Sequence, residues 1–105
     1  MFALRLLASA VLTLTLLAAA PRDAQAVPEG ATCGILAECD KGLFCEKPMA
    51  TCLMLMVPGT CVKVPRFCTK QYQPVCGCDL KSYGNDCERR SARQSKAHDG
   101  RCLGN

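Results

Sequence analysis

CTKQYQPVCGCDLKSYGNDC, residues 68–87, is the stretch on which the reading of this chain turns. Cys68 and Cys76 frame a short segment that carries a single cation, Lys70, and closes on Pro74. No side chain within the segment is suited to act as a catalytic base. Pro74 fixes its own φ and removes a backbone donor.

Outward toward the N-terminus, residues 1–26 read as an export leader. Arg5 supplies a modest positive start, Leu6 to Ala20 an apolar run, and Ala24-Gln25-Ala26 small residues at the two positions a signal peptidase reads. The run is short for a membrane span, which needs about 20 apolar residues, and no cysteine sits at the cut to take a lipid. The expectation is a mature chain from Val27 onward, secreted or periplasmic, with no membrane attachment.

All ten cysteines lie beyond that cut: 33, 39, 45, 52, 61, 68, 76, 78, 87 and 102. An exported chain of this cysteine density reads as a disulfide scaffold, and an even count suggests that every cysteine is paired. Ten cysteines allow roughly 945 pairings, so counting does not choose among them. Reduction should unfold the chain. A domain of this size buries only about 60–65% of its unfolded surface, and beyond the leader its aromatics are Phe44, Phe67, Tyr72 and Tyr83, with no Trp. Each bridge contributes about 2–4 kcal/mol, not additively.

Removing Arg5, Arg22 and Asp23 from the thirteen Lys/Arg and nine Asp/Glu leaves eleven against eight, a net charge of +3. That is too mild to imply nucleic acid. His98 is the only histidine, too few for the usual zinc patterns, and in an exported chain disulfides are favoured over metal ligation by the cysteines. No nucleophile–base pair can be named, so neither a catalytic residue, a cofactor nor a metal is expected.

Val27 to Thr32 reads as a loose arm, and Cys33 to Cys52 as a first cysteine cluster with a turn at Asp40-Lys41-Gly42. Val62 to Gln73 is extended in character, and Lys81 to Gly84 suits a short strand edge and turn. A helix is expected over Glu88 to Ala97, capped by Asn85 or Asp86, with Arg93 and Lys96 toward its negative end. Arg89, Arg90, Arg93 and Lys96 are expected on a solvated face rather than in an anion site. Met54-Leu55-Met56 is expected to pack between the two cysteine clusters; the other reading is an exposed partner-binding loop, for which Met is well suited.

The second cluster runs C-x6-C-x7-C-x10-C-x14-C through Cys61, Cys68, Cys76, Cys87 and Cys102. With Tyr72, Pro74-Val75-Cys76-Gly77, Asp79, Lys81-Ser82-Tyr83-Gly84-Asn85 and Asp99-Gly100, it resembles the Kazal family of serine protease inhibitors. Its CGCD form looks like a variant found in bacterial secreted proteins. The resemblance implies a small disulfide-rich α+β fold with a short helix and a small antiparallel sheet. It also implies a reactive loop in which Lys70 enters the specificity pocket of a trypsin-like protease, with Thr69, Gln71 and Tyr72 around the Lys70–Gln71 bond. Pro74, Tyr83 and Asn85 would support that loop, Tyr83 from beneath and Asn85 by hydrogen bonds to loop carbonyls; a plain helix cap is the other role open to Asn85.

By the same analogy Cys68 pairs with Cys87 and Cys76 with Cys102. The family's usual cysteine three residues past Cys87 is absent, Arg90 standing there, and Cys78 is expected to replace it as partner of Cys61. A bridge between Cys76 and Cys78 would close too strained a ring. The first cluster resembles, more weakly, the cysteine-rich modules of follistatin-like proteins, with Cys33–Cys45 and Cys39–Cys52 as its expected pairs. The expected layout is thus a leader at 1–26, a cysteine-rich N-terminal hairpin module at 27–60 and a Kazal-like domain at 61–105. The expected activity is inhibition by a monomer; the alternative is a secreted binding module that inhibits nothing.

Overall fold

A computed structural model describes residues 25–104, together with the isolated Thr13; the leader expected at 1–26 lies almost wholly outside the described residues. Two small antiparallel sheets and one short helix follow in the order β1 (Thr32–Cys33), β2 (Leu43–Glu46), β3 (Gly59–Lys63), β4 (Val75–Gly77), β5 (Ser82–Tyr83), α1 (Asp86–Ser91) and β6 (Lys96–Asp99). The first sheet is ordered β1-β3-β2 and the second β5-β4-β6. This is the small disulfide-rich α+β class, with a cysteine-rich region at its N-terminal side.

The first sheet is a hairpin with a short third strand. Leu43 donates to Asp40 O at 3.1 Å to close the Asp40-Lys41-Gly42 turn, and Cys45 then pairs with Cys61 across β2 and β3. Gly59 is required here, because a Cβ would lie 2.6 Å from Cys45 Sγ and 2.7 Å from Glu46 O. The arm at Val27 to Thr32 is not loose. Val27 N donates to Glu38 O, Asp40 N to Val27 O and Gly30 N to Cys61 O, so backbone pairing overrides the polar, turn-rich composition.

The buried apolar residues are Cys33, Phe44, Cys61, Val75, Cys76 and Cys102. Four of these six are cysteines, so sulfur does much of the work that branched aliphatics do in larger domains. The five bridges are Cys33–Cys45, Cys39–Cys61, Cys52–Cys78, Cys68–Cys87 and Cys76–Cys102, and no described cysteine is free. The expected pairs Cys61–Cys78 and Cys39–Cys52 do not form. Cys61 is the middle residue of β3 and fully buried in the first sheet, beside Cys39. Cys78 leaves β4 into the following turn, where its N–H donates to Ser95 O, and the neighbouring Ala50 N–H donates to Lys96 O. That contact brings the 50–52 segment, and so Cys52, to Cys78.

Helix α1 starts near its expected cap but is far shorter. It ends at Ser91, Arg93 takes a left-handed φ of 57°, and Lys96–Asp99 becomes a strand on β4. An isolated helix of ten residues is marginal in water, and the sheet offers the same backbone a set of long-range partners.

Arg89 also departs from its expected solvated face: its side chain is 1% exposed. Its Nη2 lies 2.7 Å from Glu46 Oε1 on β2 and 2.9 Å from Asp86 Oδ1. Its Nε donates to Asp86 at 3.0 Å and its Nη1 to Gln94 O at 2.6 Å. Arg90 faces the second oxygen of Glu46 at 3.4 Å. A carboxylate shared by two arginines thus joins the helix to the first sheet, while Cys52–Cys78 ties the connection after β2 to the turn after β4.

Candidate functional site

Residues 69–73 form an exposed, irregular segment between β3 and β4. Four attachments hold it. Cys68–Cys87 ties its start to the helix. Asn85 Nδ2 donates to Thr69 O at 3.0 Å and to Gln71 O at 2.8 Å. Gln73 N donates to Gly84 O at 2.8 Å, and Gly100 N to Pro74 O at 2.8 Å. Half-buried Pro74 then leads into Val75 and Cys76 of the buried strand β4.

Asn85 fills both of the roles open to it. It is 8% exposed, and while its amide grips the two loop carbonyls, its Oδ1 accepts from Glu88 N at 2.9 Å as the helix cap. The two functions use opposite ends of one carboxamide, so they do not compete.

Lys70 stands between the two gripped carbonyls. Its side chain is 92% exposed, and its Nζ lies 3.3 Å from Glu88 Oε1. Such an exposed pair contributes little, so the cation is easily transferred to another partner. The backbone groups of Lys70 and Tyr72 make no hydrogen bond within the described residues, and Tyr72 is 70% exposed. Phe67, which was not singled out from sequence, is 91% exposed just ahead of Cys68. Its aromatic character was the available signal, but an aromatic next to a cysteine reads equally well as core.

Tyr83 sits in β5 opposite Val75. Its hydroxyl donates to Asp79, and its ring lies so close to Gly77 that a Cβ there would approach it to 2.8 Å. Its contacts therefore brace the turn after Cys76. Burial, and then the bond to the Asp79 carboxylate, push its phenol up to about 12. Beside the loop's anchoring helix, burial alone would raise the Asp86 carboxyl, but Arg89 and then Lys96 hold it below the ordinary carboxylate value of 3.8.

The sulfurs of Cys33, Cys39 and Cys61 lie within 4.8 Å of one another, yet each is already spent in a disulfide. What the arrangement around Lys70 can do is offer a solvent-facing backbone with one cationic side chain and hold it in place. The family model for the Kazal-type serine protease inhibitor domain matches residues 45–102, more than half of the 105-residue chain. That span begins in β2, ahead of Cys61. No curated protein matches the chain.

Proposed function

The chain belongs to the family of Kazal-type serine protease inhibitor domains, and from that premise we propose that it inhibits trypsin-like serine proteases through Lys70. Family membership carries a protease-binding, non-catalytic role; the residue and the specificity are the further step. The observation that carries it is the double grip of Asn85 on Thr69 O and Gln71 O, which holds the backbone on both sides of an almost fully exposed lysine. A protease binds substrate as an extended strand, and a segment already fixed in that form loses little ordering entropy on docking. The Lys70 ammonium suits a pocket with a carboxylate at its base, as in trypsin. If the Lys70–Gln71 bond is cut, the new amine of Gln71 stays beside the acyl carbon, and its high effective concentration favours resealing.

In this reading residues 61–105 are the inhibitory domain in its CGCD form, and residues 27–60 a follistatin-like module joined to it by Cys39–Cys61 and Cys52–Cys78. The protein acts as an exported monomer once residues 1–26 are removed.

Titration of trypsin with the oxidised protein tests the proposal. Truncating an anchor in a desolvated pocket costs about 2 kcal/mol or more, so Lys70→Ala should weaken inhibition by roughly 30-fold or more. Lys81→Ala, on an exposed lysine outside the loop, should change little. Equal inhibition by wild type and Lys70→Ala removes the assignment of Lys70. No inhibition by the oxidised wild type across several trypsin-like enzymes would leave a binding module in its place.

A further inference from the structure

Four sulfurs gather on one face of the first sheet. Cys33 lies opposite Gly59 on β3, and Cys45 lies opposite Cys61. Residues 59 and 61 share a face of β3, because side chains alternate along a strand, and directly opposed residues share a face as well. The Cys45 sulfur lies over Gly59, where a Cβ would meet it at 2.6 Å. Cys39 reaches the same group from outside the sheet: the sulfurs of Cys33, Cys39 and Cys61 are all within 4.8 Å of one another. The bridges Cys33–Cys45 and Cys39–Cys61 are therefore neighbours.

These four cysteines have a second pairing open to them. Cys61 N donates to Ala31 O, and Cys61 O accepts from Gly30 N, so both backbone groups of Cys61 are turned toward the segment that leads into β1. Toward β2, Cys61 and Cys45 are then a non-hydrogen-bonded pair. In such pairs the Cα atoms stand about 4.5 Å apart, within the roughly 4.4–6.8 Å that a disulfide spans. Cys45–Cys61 would close with its two strands in place, and Cys33 and Cys39, whose sulfurs are already neighbours, would take the other bridge.

We propose that an external thiol switches the first sheet between two disulfide isomers, Cys33–Cys45 with Cys39–Cys61 and Cys33–Cys39 with Cys45–Cys61. Cys33 and Cys61 are 3% and 0% exposed, whereas Cys39 and Cys45 are half-buried, so a thiolate enters at Cys45 or Cys39. From Cys45, the Cys33–Cys45 bond breaks, a mixed disulfide forms on Cys45 Sγ, and Cys33 leaves as thiolate. Cys33 attacks Cys39 Sγ, and Cys61 leaves as thiolate. Cys61 attacks Cys45 Sγ across the strand pair, and the external thiolate is released. Entry at Cys39 runs the same cycle from its other side to the same products. Two disulfides stand before and after, so there is no net oxidation or reduction and the thiol acts as a catalyst.

The exchange changes what holds the N-terminal segment. Before it, both bridges join residues 27–41 to the β2–β3 hairpin. Afterwards Cys33–Cys39 lies within that segment and Cys45–Cys61 within the hairpin. Residues 53–56 do not clamp the segment in their place, for the expectation that Met54-Leu55-Met56 packs between the cysteine clusters does not hold. Leu53 is 95% exposed, Met54 55%, Leu55 80% and Met56 78%. Met54 N donates to Thr51 O at 2.9 Å, and turns at 52–53 and 55–56 carry the chain outward. In the exchanged form residues 27–41 therefore stay on the sheet by non-covalent contacts only, apart from the chain itself.

The test incubates the full oxidised chain with sub-stoichiometric reduced glutathione at about pH 8, where a free thiol is partly thiolate. After alkylation, and digestion after lysine in denaturant, the peptide that ends at Lys41 reports the pairing by mass. It carries Cys33 and Cys39, while Cys45 and Cys61 lie beyond the cut. The starting form therefore keeps this peptide attached, and the exchanged form frees it with an internal disulfide and no alkylation. The freed, unalkylated peptide should rise at least about tenfold over a thiol-free control within hours. Cys33→Ser checks the cross-strand step without added thiol: Cys45 is then free, its attack on Cys61 releases Cys39, and both Cys45 and Cys39 should be alkylated. A peptide freed only with two alkylated cysteines, which is plain reduction, or not freed at all, overturns the proposal. So does label confined to Cys45 in a Cys33→Ser chain whose remaining bridges are intact. The wild-type arm decides whether or not Cys33→Ser folds, and neither arm depends on protease inhibition or on Lys70.

Discussion

Asn85 Nδ2 lies 2.8 Å from the carbonyl oxygen of Gln71, so the side chain that begins the helix also holds the residue immediately beyond Lys70. The loop is thereby fixed by an element whose own position is set by the Cys68–Cys87 bridge and by buried Arg89. Disturbing any of these should be felt at the loop in a graded way.

Asn85→Asp separates the two roles of this residue. A carboxylate still accepts from Glu88 N, so the cap survives, but it has no donor for Thr69 O and Gln71 O. At about 0.5–1.5 kcal/mol for each lost hydrogen bond, trypsin inhibition should weaken by roughly 5- to 150-fold and Lys70–Gln71 cleavage should accelerate. Asn85→Ala should show the same defect plus a loss of about 1 kcal/mol in unfolding free energy. Equal inhibition constants for wild type and Asn85→Asp would show that the grip is immaterial.

Removal of Arg89 should be more damaging than its surface-like sequence context suggests. Arg89→Ala leaves the half-buried Glu46 carboxylate with Arg90 alone and removes the bonds to Asp86 and Gln94 O, so the loss should approach about 3–5 kcal/mol, as is typical of breaking a buried pair. Arg89→Lys should rescue little, because one ammonium cannot reach Glu46, Asp86 and Gln94 O with the geometry of a guanidinium. Denaturant midpoints at constant m-value check this; a Lys variant as stable as wild type would argue against a geometric role.

Loss of the Cys52–Cys78 bridge should uncouple stability from inhibition. Cys52→Ser with Cys78→Ser is expected to lower stability by about 2–4 kcal/mol, with trypsin titration at neutral pH and moderate temperature changed only a few-fold. Cys68→Ser with Cys87→Ser, which frees the loop itself, should convert the protein from inhibitor to substrate. Thermal scans paired with a cleavage assay distinguish the two outcomes.

Stability should fall at both ends of the pH range. The Asp86 carboxyl is held below 3.8 in the fold, so its contribution is present above that value and is lost as pH falls through the depressed one. Tyr83 is raised from 10.0 to about 12, so its contribution is complete below 10.0 and fades as pH rises toward 12. Absorbance of phenolate should show one tyrosine ionising near 12, and Tyr83→Phe should remove that step. A complete tyrosine titration by pH 11 in the folded protein would contradict the Asp79 contact.

Much of the second half was legible in the sequence because its signals are local. Pro74-Val75-Cys76-Gly77 and Tyr83-Gly84-Asn85 specify turn, strand and cap within a few residues of one another. The cross-connections were not legible. Spacing says nothing about whether Cys61 looks toward Cys39 or Cys78; that depends on Cys61 sitting in β3, a strand assembled from segments far apart in the chain. Arg89 reads as solvent-facing because its partners, Glu46 and Gln94 O, lie on other elements. Lys96 and Ala97 read as the end of the helix because β4, which captures Lys96–Asp99, lies some twenty residues upstream. The exposure of Leu53 to Met56 was hidden by the usual association of apolar runs with interiors.

Viewed as a graph, with the chain as a line and each disulfide as a chord, the molecule has an uneven connectivity. Any peptide bond between residues 68 and 76 is spanned by two chords, Cys52–Cys78 and Cys68–Cys87, and any between 52 and 61 also by two, Cys39–Cys61 and the same Cys52–Cys78. Between 61 and 68 only Cys52–Cys78 passes over. A single scission in either exposed loop therefore leaves the chain closed by two bridges, as it does between 39 and 45 and between 78 and 87. Nicking there opens a ring without creating a second particle, and the ends remain confined to a small shared volume until a reductant cuts the chords.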